Sequence, residues 1–306
     1  MDEKELVIIG GGPAGLTAAI YGIRAGLDLV VLEKATLGGQ IILTNEVENW
    51  PGHKNIPGFD LAETFHAHAL HLGCQFRTAT VSSIEPGSDA HHIVHTDEGD
   101  IRAKAVIIAT GASFRRLGCE GESELTGSGV SYCAVCDGAF FSNEEVAVIG
   151  GGNTAIQEAV YLTRFASKVY IVHRRDEFRA DRLAQKRALN HEKIVPVWDS
   201  VVERINGGPL VKGVTIKNVK TGEISELPVS GVFVFVGTTP SLEFLGEHLD
   251  RAEGGWIKTD EDMRTSIPGI FAAGDVRDTN LRQVVTAAAD GARAAVTAYE
   301  WLMEKE

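Results

Sequence analysis

The sequence predicts an α/β protein of two similar domains, the second inserted into the first. Three observations carry this. A short apolar run, a glycine-rich turn and a small-residue helix follow one another twice, from residue 6 and again from residue 146. Apolar, partly β-branched runs at residues 106–109 and 232–236 close the two copies, as suits buried parallel strands. A third such run, residues 270–273, comes after the second copy is complete and has no place in it. The chain is therefore expected to return to its first domain, residues 1–113 and 241–306, around an inserted domain of residues 114–240. At roughly 150 residues per domain, 306 residues also suggest two cores.

In the first copy the strand at residues 6–9 ends in Gly10-Gly11-Gly12-Pro13-Ala14-Gly15, and a helix from Leu16 to Arg24 stops near Gly26. Gly10, Gly12 and Gly15 fit G-x-G-x-x-G. The first permits a tight turn, the second lets a phosphate approach the backbone, and the third packs helix on strand. The helix N-terminus then faces a pyrophosphate. A second strand, residues 29–32, ends in Glu33, spaced to bond ribose hydroxyls, so this domain should hold an unphosphorylated adenosine. Asp275, beside Gly274 at the end of the third apolar run, should reach the same dinucleotide. The alanine-rich residues 284–299 read as a closing helix.

In the second copy the strand at residues 146–149 ends in Gly150-Gly151-Gly152-Asn153-Thr154-Ala155, with Ala155 at the third position. The step that leads from Gly10 to Glu33 leads from Gly150 to His173, so a base stands where the first copy has an acid. His173-Arg174-Arg175, with Arg179, offers bidentate donors to a ribose 2′-phosphate. NADPH is expected rather than NADH. A basic run is ordinarily a solvated helix start, but its place in the repeat points to the ribose.

Ahead of the second turn stands Cys133-Ala134-Val135-Cys136-Asp137. Two cysteines so spaced can close a small-ring disulfide, and the adjacent acid can shuttle a proton as it opens. The alternative, half of a zinc site, needs further ligands, and Cys74 and Cys119 lie alone at distant positions. Those two read as buried small apolar residues. Four cysteines in so long a chain are no secreted framework, which favours a catalytic pair in a reducing compartment. A net charge of −13 argues against nucleic acid. No apolar run approaches the roughly 20 residues that cross a bilayer, and the first strand begins without a signal peptide, so the cytoplasm is expected. His66, His68 and His71 fall on a helix opening at Asp60, with Glu63 three residues on, and ending at Gly73. His91, His92 and His95 fall in an exposed strand-like stretch. Neither group has the spacing of a metal site, and no metal is expected.

Together these motifs resemble the low-molecular-weight thioredoxin reductases, from the first strand to the final helix. Gly38-Gly39-Gln40, Glu46-Val47-Glu48-Asn49-Trp50-Pro51-Gly52, Ala109-Thr110-Gly111 and Arg282-Gln283-Val284 add to the match. The resemblance implies two Rossmann-like, three-layer domains, the NADPH domain inserted into the FAD domain, in a homodimer. It implies electron flow from NADPH through FAD and the Cys133–Cys136 disulfide to oxidised thioredoxin. Gly10, Gly12, Pro13, Ala14, Gly15, Glu33, Lys34, Thr110, Gly111, Gly274 and Asp275 would then hold FAD. Gly39, Gln40 and Asn49 would lie near its isoalloxazine, with Arg282, Gln283 and Val284 along the other edge. Gly150, Gly152, Asn153, Thr154, His173, Arg174, Arg175 and Arg179 would hold NADPH. The resemblance assigns Cys136 to the flavin, Cys133 to the attack on substrate, and Asp137 to the proton. A dithiol that must face first a flavin and then a protein implies rotation of the inserted domain. The glycine-containing crossings near residues 112–118 and 237–240 would serve as hinges. Two departures are mild: Ala134-Val135 between the cysteines, which bears on the redox potential, and Thr154 where many relatives carry Ser.

Overall fold

A computed structural model describes the whole chain except residues 45, 46, 48, 88–90 and 306 and the side chains of Leu43, Val135 and Cys136. The chain divides into two compact units, Met1–Ser113 with Thr239–Glu306, and Phe114–Thr238.

The first unit is built on a sheet that runs, among the described residues, Gln75–Thr78, Leu29–Glu33, Asp2–Ile9, Ile101–Ile108, His92–Thr96, Val81–Glu85. Its opening strand begins ahead of the apolar run because the polar residues Asp2 to Lys4 pair with Ile101 to Ala103. Ile101–Ile108 changes neighbour along one side. Its first residues pair antiparallel with His92–Thr96, and its last three pair in parallel with Ile270–Ala272, where the returning chain joins the sheet. Leu6 and Ile8 face a core shared with the helices Pro13–Arg24 and Val284–Met303, whereas Val7 and Ile9 face a second core with Val94, Leu242 and Leu249. Strands buried on both faces read as continuous apolar runs, and this is why residues 6–9 do. The closing helix runs past Tyr299 to Met303, held by buried Leu302 and by Trp301 edge-on to Phe271.

Two sequence expectations are corrected here. The helix carrying His66, His68 and His71 spans Gly58–His71 and starts after Pro57, not at Asp60. Leu61 N donates to Pro57 O at 3.0 Å as its first helical bond. Pro57 supplies the fixed φ of a helix entry, and Asp60 lies inside the first turn, where its charge meets the positive end of the helix. The second correction concerns His92, which is not exposed: it is 1 % accessible, on Ile101–Ile108's antiparallel neighbour, and faces Gly269 and Trp301. A Cβ on Gly269 would come within 2.6 Å of His92 Nε2 and 2.7 Å of Trp301 Cη2.

Neither ring nitrogen of His92 has a well-formed hydrogen bond among the described residues. Burial lowers its pKa, His91 lowers it further, and the Pro268 backbone offsets this in part. The unfolded chain therefore takes up a proton near pH 6.5 that the folded chain resists. This group's contribution to stability falls as the pH drops below that value toward the depressed folded pKa. Asp275, pushed up to about 6, and Glu158, pushed up to about 7, both by burial, have the opposite sign. The comparison must therefore be between variant and parent. Because an unpaired buried polar group costs about 1–3 kcal/mol, His92→Leu should stabilise the protein by about 1 kcal/mol near neutral pH. Its gain in Tm should widen on going from about pH 7.5 to about pH 5.5. A gain that does not change with pH would mean that His92 titrates alike in both states.

The second unit repeats the strand order: Ile194–Val197, Lys168–Val172, Glu145–Gly150, Gly231–Phe235, Val130–Ser131, paired in parallel throughout. Val146 and Val148 face a core with Ile156 and Ala188 of the helices Asn153–Leu162 and Arg182–Leu189. Ala147 and Ile149 face Ile205, Val214 and Ile216. These belong to an antiparallel sheet of Ser200–Gly207, Val211–Asn218 and Ile224–Leu227, so the third layer is a sheet rather than helices. Among the described residues no helix is long and apolar enough to cross a membrane.

Candidate redox and dinucleotide site

Cys133 stands in a disulfide, whereas Cys74 and Cys119 are free. It follows the strand Val130–Ser131 and opens the single helical turn Ala134–Asp137. Ser131 brackets it: Cys133 N donates to Ser131 Oγ at 3.0 Å, and Ser131 Oγ donates to Cys133 O at 3.1 Å. Ala134 is anchored in the core, and Asp137 is half-buried. The side chain of Cys136 lies outside the described residues. Cys74 is buried, its thiol pushed up to about 12; Cys119 is only half-buried, at about 11, with Glu122 adding to burial.

Glu122 is the residue here that sequence reasoning missed. It is 1 % exposed, and its carboxylate accepts from Leu117 N at 2.8 Å, Gly118 N at 2.7 Å and Tyr132 OH at 2.7 Å. Burial and this carboxylate push Tyr132 up to about 12. Phe114 stacks on the Tyr132 ring. The crossing at residues 114–118 is thus tied to the residue preceding Cys133. Gly118 and Gly237, with φ of +75° and +113°, are left-handed positions in the two crossings. The sequence signal was slight: Glu122 follows a glycine and stands between two other acids, Glu120 and Glu124.

The first glycine turn closes as the spacing requires: a Cβ on Gly15 would lie 1.9 Å from Gly10 O. Gly12 caps the Pro13–Arg24 helix without a side-chain bond, and the nearest atom to a Cβ there would be Gly39 Cα at 3.8 Å. That leaves a helix N-terminus with free N–H groups and room above it, the setting for a phosphate. Glu33 accepts from Gly11 N at 2.8 Å and Ala35 N at 2.9 Å, beside exposed Lys34. Gly38 N donates to Gly11 O at 2.7 Å, which folds Gly39 and Gln40 onto the turn; Gln40 Nε2 donates to Ala112 O. Asn49 Nδ2 reaches Gln283 Oε1 at 2.8 Å, so residues far apart in sequence meet ahead of Val284. Thr110 Oγ1 donates to Ser241 O at 2.7 Å after the Ile101–Ile108 strand and before Gly111. Gly274, at φ +77°, lies so close to Ala14 that a Cβ would sit 2.9 Å from Ala14 Cβ, which sets Asp275 beside the turn. The donor-rich, open turn and its flanking acids suit the dinucleotide expected from sequence.

The second turn is also open, with no atom near a Cβ on Gly152 and no side-chain cap. A Cβ on Gly150 would lie 2.3 Å from Phe235 O, so the turn closes on its neighbouring strand. Asn153 Oδ1 accepts from Asp181 N at 2.7 Å, and Arg179 N donates to Gly151 O at 2.7 Å, fastening the basic loop to the turn; Thr154 is exposed. His173 parts company with its neighbours. It is 6 % exposed and lies against Gly151, where a Cβ would be 2.4 Å from its ring, whereas Arg174, Arg175 and Arg179 are exposed. Burial, then the three arginines, lowers its pKa, so it adds no charge at neutral pH. His173 Nε2 has no partner among the described residues. In both copies a residue at the end of the second strand touches the middle of the glycine turn, Glu33 as the strand's last residue at Gly11 and His173 just after Val172 at Gly151.

Residues 4–291 match the pyridine nucleotide-disulphide oxidoreductase family. The chain is 47% identical over 307 residues to a thioredoxin reductase of Listeria monocytogenes, covering 99% of this chain and 96% of that one. Its fold is similar to the crystal structure of Lactococcus lactis thioredoxin reductase in the FR conformation, with a TM-score of 0.94 and 47% identity over 98% of this chain and 99% of that one. The T. acidophilum thioredoxin reductase aligns with a TM-score of 0.91 and 34% identity, over 99% and 100% of the two chains. Its oxidised Cys133, its paired glycine turns and these full-length likenesses place the chain in the pyridine nucleotide-disulphide oxidoreductases, among the low-molecular-weight thioredoxin reductases.

Proposed function

We propose that this chain reduces the disulfide of thioredoxin with electrons from NADPH, with FAD on Met1–Ser113 and Thr239–Glu306 and NADPH on Phe114–Thr238. The observation that carries the reading is the oxidised Cys133, with Asp137 four residues on, in the same unit as the second glycine turn and its exposed arginines. FAD, when bound, takes two electrons from a nicotinamide and gives them to sulfur. Gly10, Gly12, Pro13, Ala14 and Gly15 hold its pyrophosphate, and Glu33 with Lys34 holds the adenosine side. Thr110, Gly111, Gly274 and Asp275 complete the cleft, with Gly39, Gln40, Asn49, Arg282, Gln283 and Val284 around the ring system. Gly150, Gly152, Asn153 and Thr154 hold the NADPH pyrophosphate. Arg174, Arg175 and Arg179 take the 2′-phosphate, and His173 supports the turn from beneath.

Once the Cys133–Cys136 bond is reduced, the Cys133 thiolate attacks a sulfur of oxidised thioredoxin and displaces the other as a thiolate. The Cys136 thiolate then attacks Cys133 in the mixed disulfide, closing the ring and releasing reduced thioredoxin. Asp137 carries the proton between these states. The inserted unit turns about its two crossings between flavin-facing and substrate-facing states. The chain works as a homodimer in the cytoplasm, with no nucleic-acid or membrane partner and no metal. Anaerobic addition of NADPH should bleach a yellow holoenzyme, and oxidised thioredoxin should restore the colour. A flavin that NADPH reduces but no thioredoxin reoxidises would refute the acceptor.

A further inference from the structure

The Arg282 guanidinium is held on a face and along an edge. Its Cζ lies 3.6 Å over the centroid of the Trp256 ring, while Nε donates to Asp275 O at 3.3 Å and Nη2 to Arg277 O at 3.1 Å. Among the described residues Nη1 makes no hydrogen bond, which leaves its donors for a ligand. Trp256 is fastened to the same stretch of backbone. Ile257 N donates to Val276 O at 3.1 Å, and Asp278 N donates to Ile257 O at 2.9 Å. The turn before it is closed by Ala252 N donating to Trp256 O at 2.8 Å. Gly254, at φ +84°, lies close to the indole, and a Cβ there would come within 3.1 Å of Trp256 Nε1. The stretch at residues 275–278 therefore serves both as acceptor for Arg282 and as anchor for its aromatic platform.

A planar guanidinium stacked on an indole and bonded along one edge has little rotamer freedom left to lose on meeting a ligand. Half-burial strengthens the attraction to the ring face over that of a fully hydrated pair. Arg277 is fixed in turn by Asp290, Nη1 to Oδ2 at 2.6 Å, and the same Asp290 oxygen accepts from Gly274 N at 3.2 Å. The platform, the arginine and the Gly274 turn thus form one connected network within the first unit.

We propose that Trp256 is a positioning residue for the flavin, acting through Arg282: it holds the guanidinium flat and aimed, so that charge and free donors are in place before the ring arrives. This rests on the placement of Arg282 at the FAD ring proposed above. A fixed positive charge favours the electron-richer, reduced ring, so losing its alignment moves the flavin midpoint potential to more negative values.

The test compares the holoenzymes of the parent chain, Trp256→Ala, Arg282→Ala and the double variant by FAD retention on dilution and by flavin midpoint potential. Trp256→Ala should weaken FAD binding by about tenfold and shift the potential negative. Arg282→Ala should do at least as much, and Trp256→Ala should add nothing in the Arg282→Ala background. Trp256→Phe, which keeps a ring face and the fold, should restore most of both properties. If Arg282→Ala leaves binding and potential unchanged, the placement of Arg282 at the flavin fails. If Arg282→Ala alters both but Trp256→Ala alters neither, or if the two effects simply add, the positioning role of Trp256 is overturned.

Discussion

Replacing Cys136 with Ser should leave flavin reduction by NADPH intact and lower thioredoxin turnover by at least about a thousandfold, as loss of a reacting nucleophile does. The variant cannot close the small-ring disulfide, so electrons on the flavin have no sulfur acceptor within the chain. Cys133 remains, its backbone N–H and carbonyl both bonded to the Ser131 hydroxyl. It can still attack oxidised thioredoxin, displacing one thiolate, but the mixed disulfide then lacks its resolving thiol. The variant should therefore accumulate a covalent adduct with thioredoxin, seen by non-reducing electrophoresis and lost on adding a dithiol reductant. Cys133→Ser should form much less of it. The reverse pattern, with the adduct on Cys136, would invert the proposed direction of the pair.

Removing Arg174 and Arg175 together should cut kcat/KM for NADPH by about a hundredfold while changing that for NADH by less than about threefold. A charge-assisted bond to a phosphate contributes about 1.5–3 kcal/mol, and the low end applies because both side chains are exposed. Raising the salt should erode the parent's preference for NADPH and hardly affect the variant's. His173→Ala should behave differently. Because His173 is buried against Gly151 and lacks charge at neutral pH, its loss should loosen the glycine turn and penalise both nucleotides alike. An unchanged NADPH-to-NADH ratio in the double arginine variant would reduce the basic run to a solvated surface.

His173 also marks where reading the chain reached its limit. The repeat put it at the position of Glu33, and the structure keeps that correspondence, since each touches the middle glycine of its own turn. Spacing cannot say whether a side chain at that place points at a ribose or packs under the backbone. Position along the chain defines the Cα; burial is defined by what arrives from elsewhere, here the glycine turn, whose Gly151 lies against the His173 ring. His92 is a similar case. Its neighbours His91 and His95 are more exposed, and among the described residues Gly269, from the far end of the chain, packs against it beside Trp301.

The glycine turns, the apolar runs and the Cys-x-x-Cys-Asp segment were legible because their constraints act over a few bonds. A Cβ at Gly15 strikes Gly10 O whatever the rest of the chain does, and a strand buried on both faces has no use for polar residues. The duplication and the third apolar run likewise marked out two domains, one within the other. The Glu122 carboxylate joining residues 117, 118 and 132, the Asn49–Gln283 bond and the Trp256–Arg282 stack left no such trace. Each joins segments whose register depends on how sheets and loops pack, and many side chains are compatible with the same local backbone. Chemistry carried by short motifs could thus be read along the chain. The aim, burial and charge state of the groups around it had to wait for long-range packing, because these arise from atoms that are neighbours only in space.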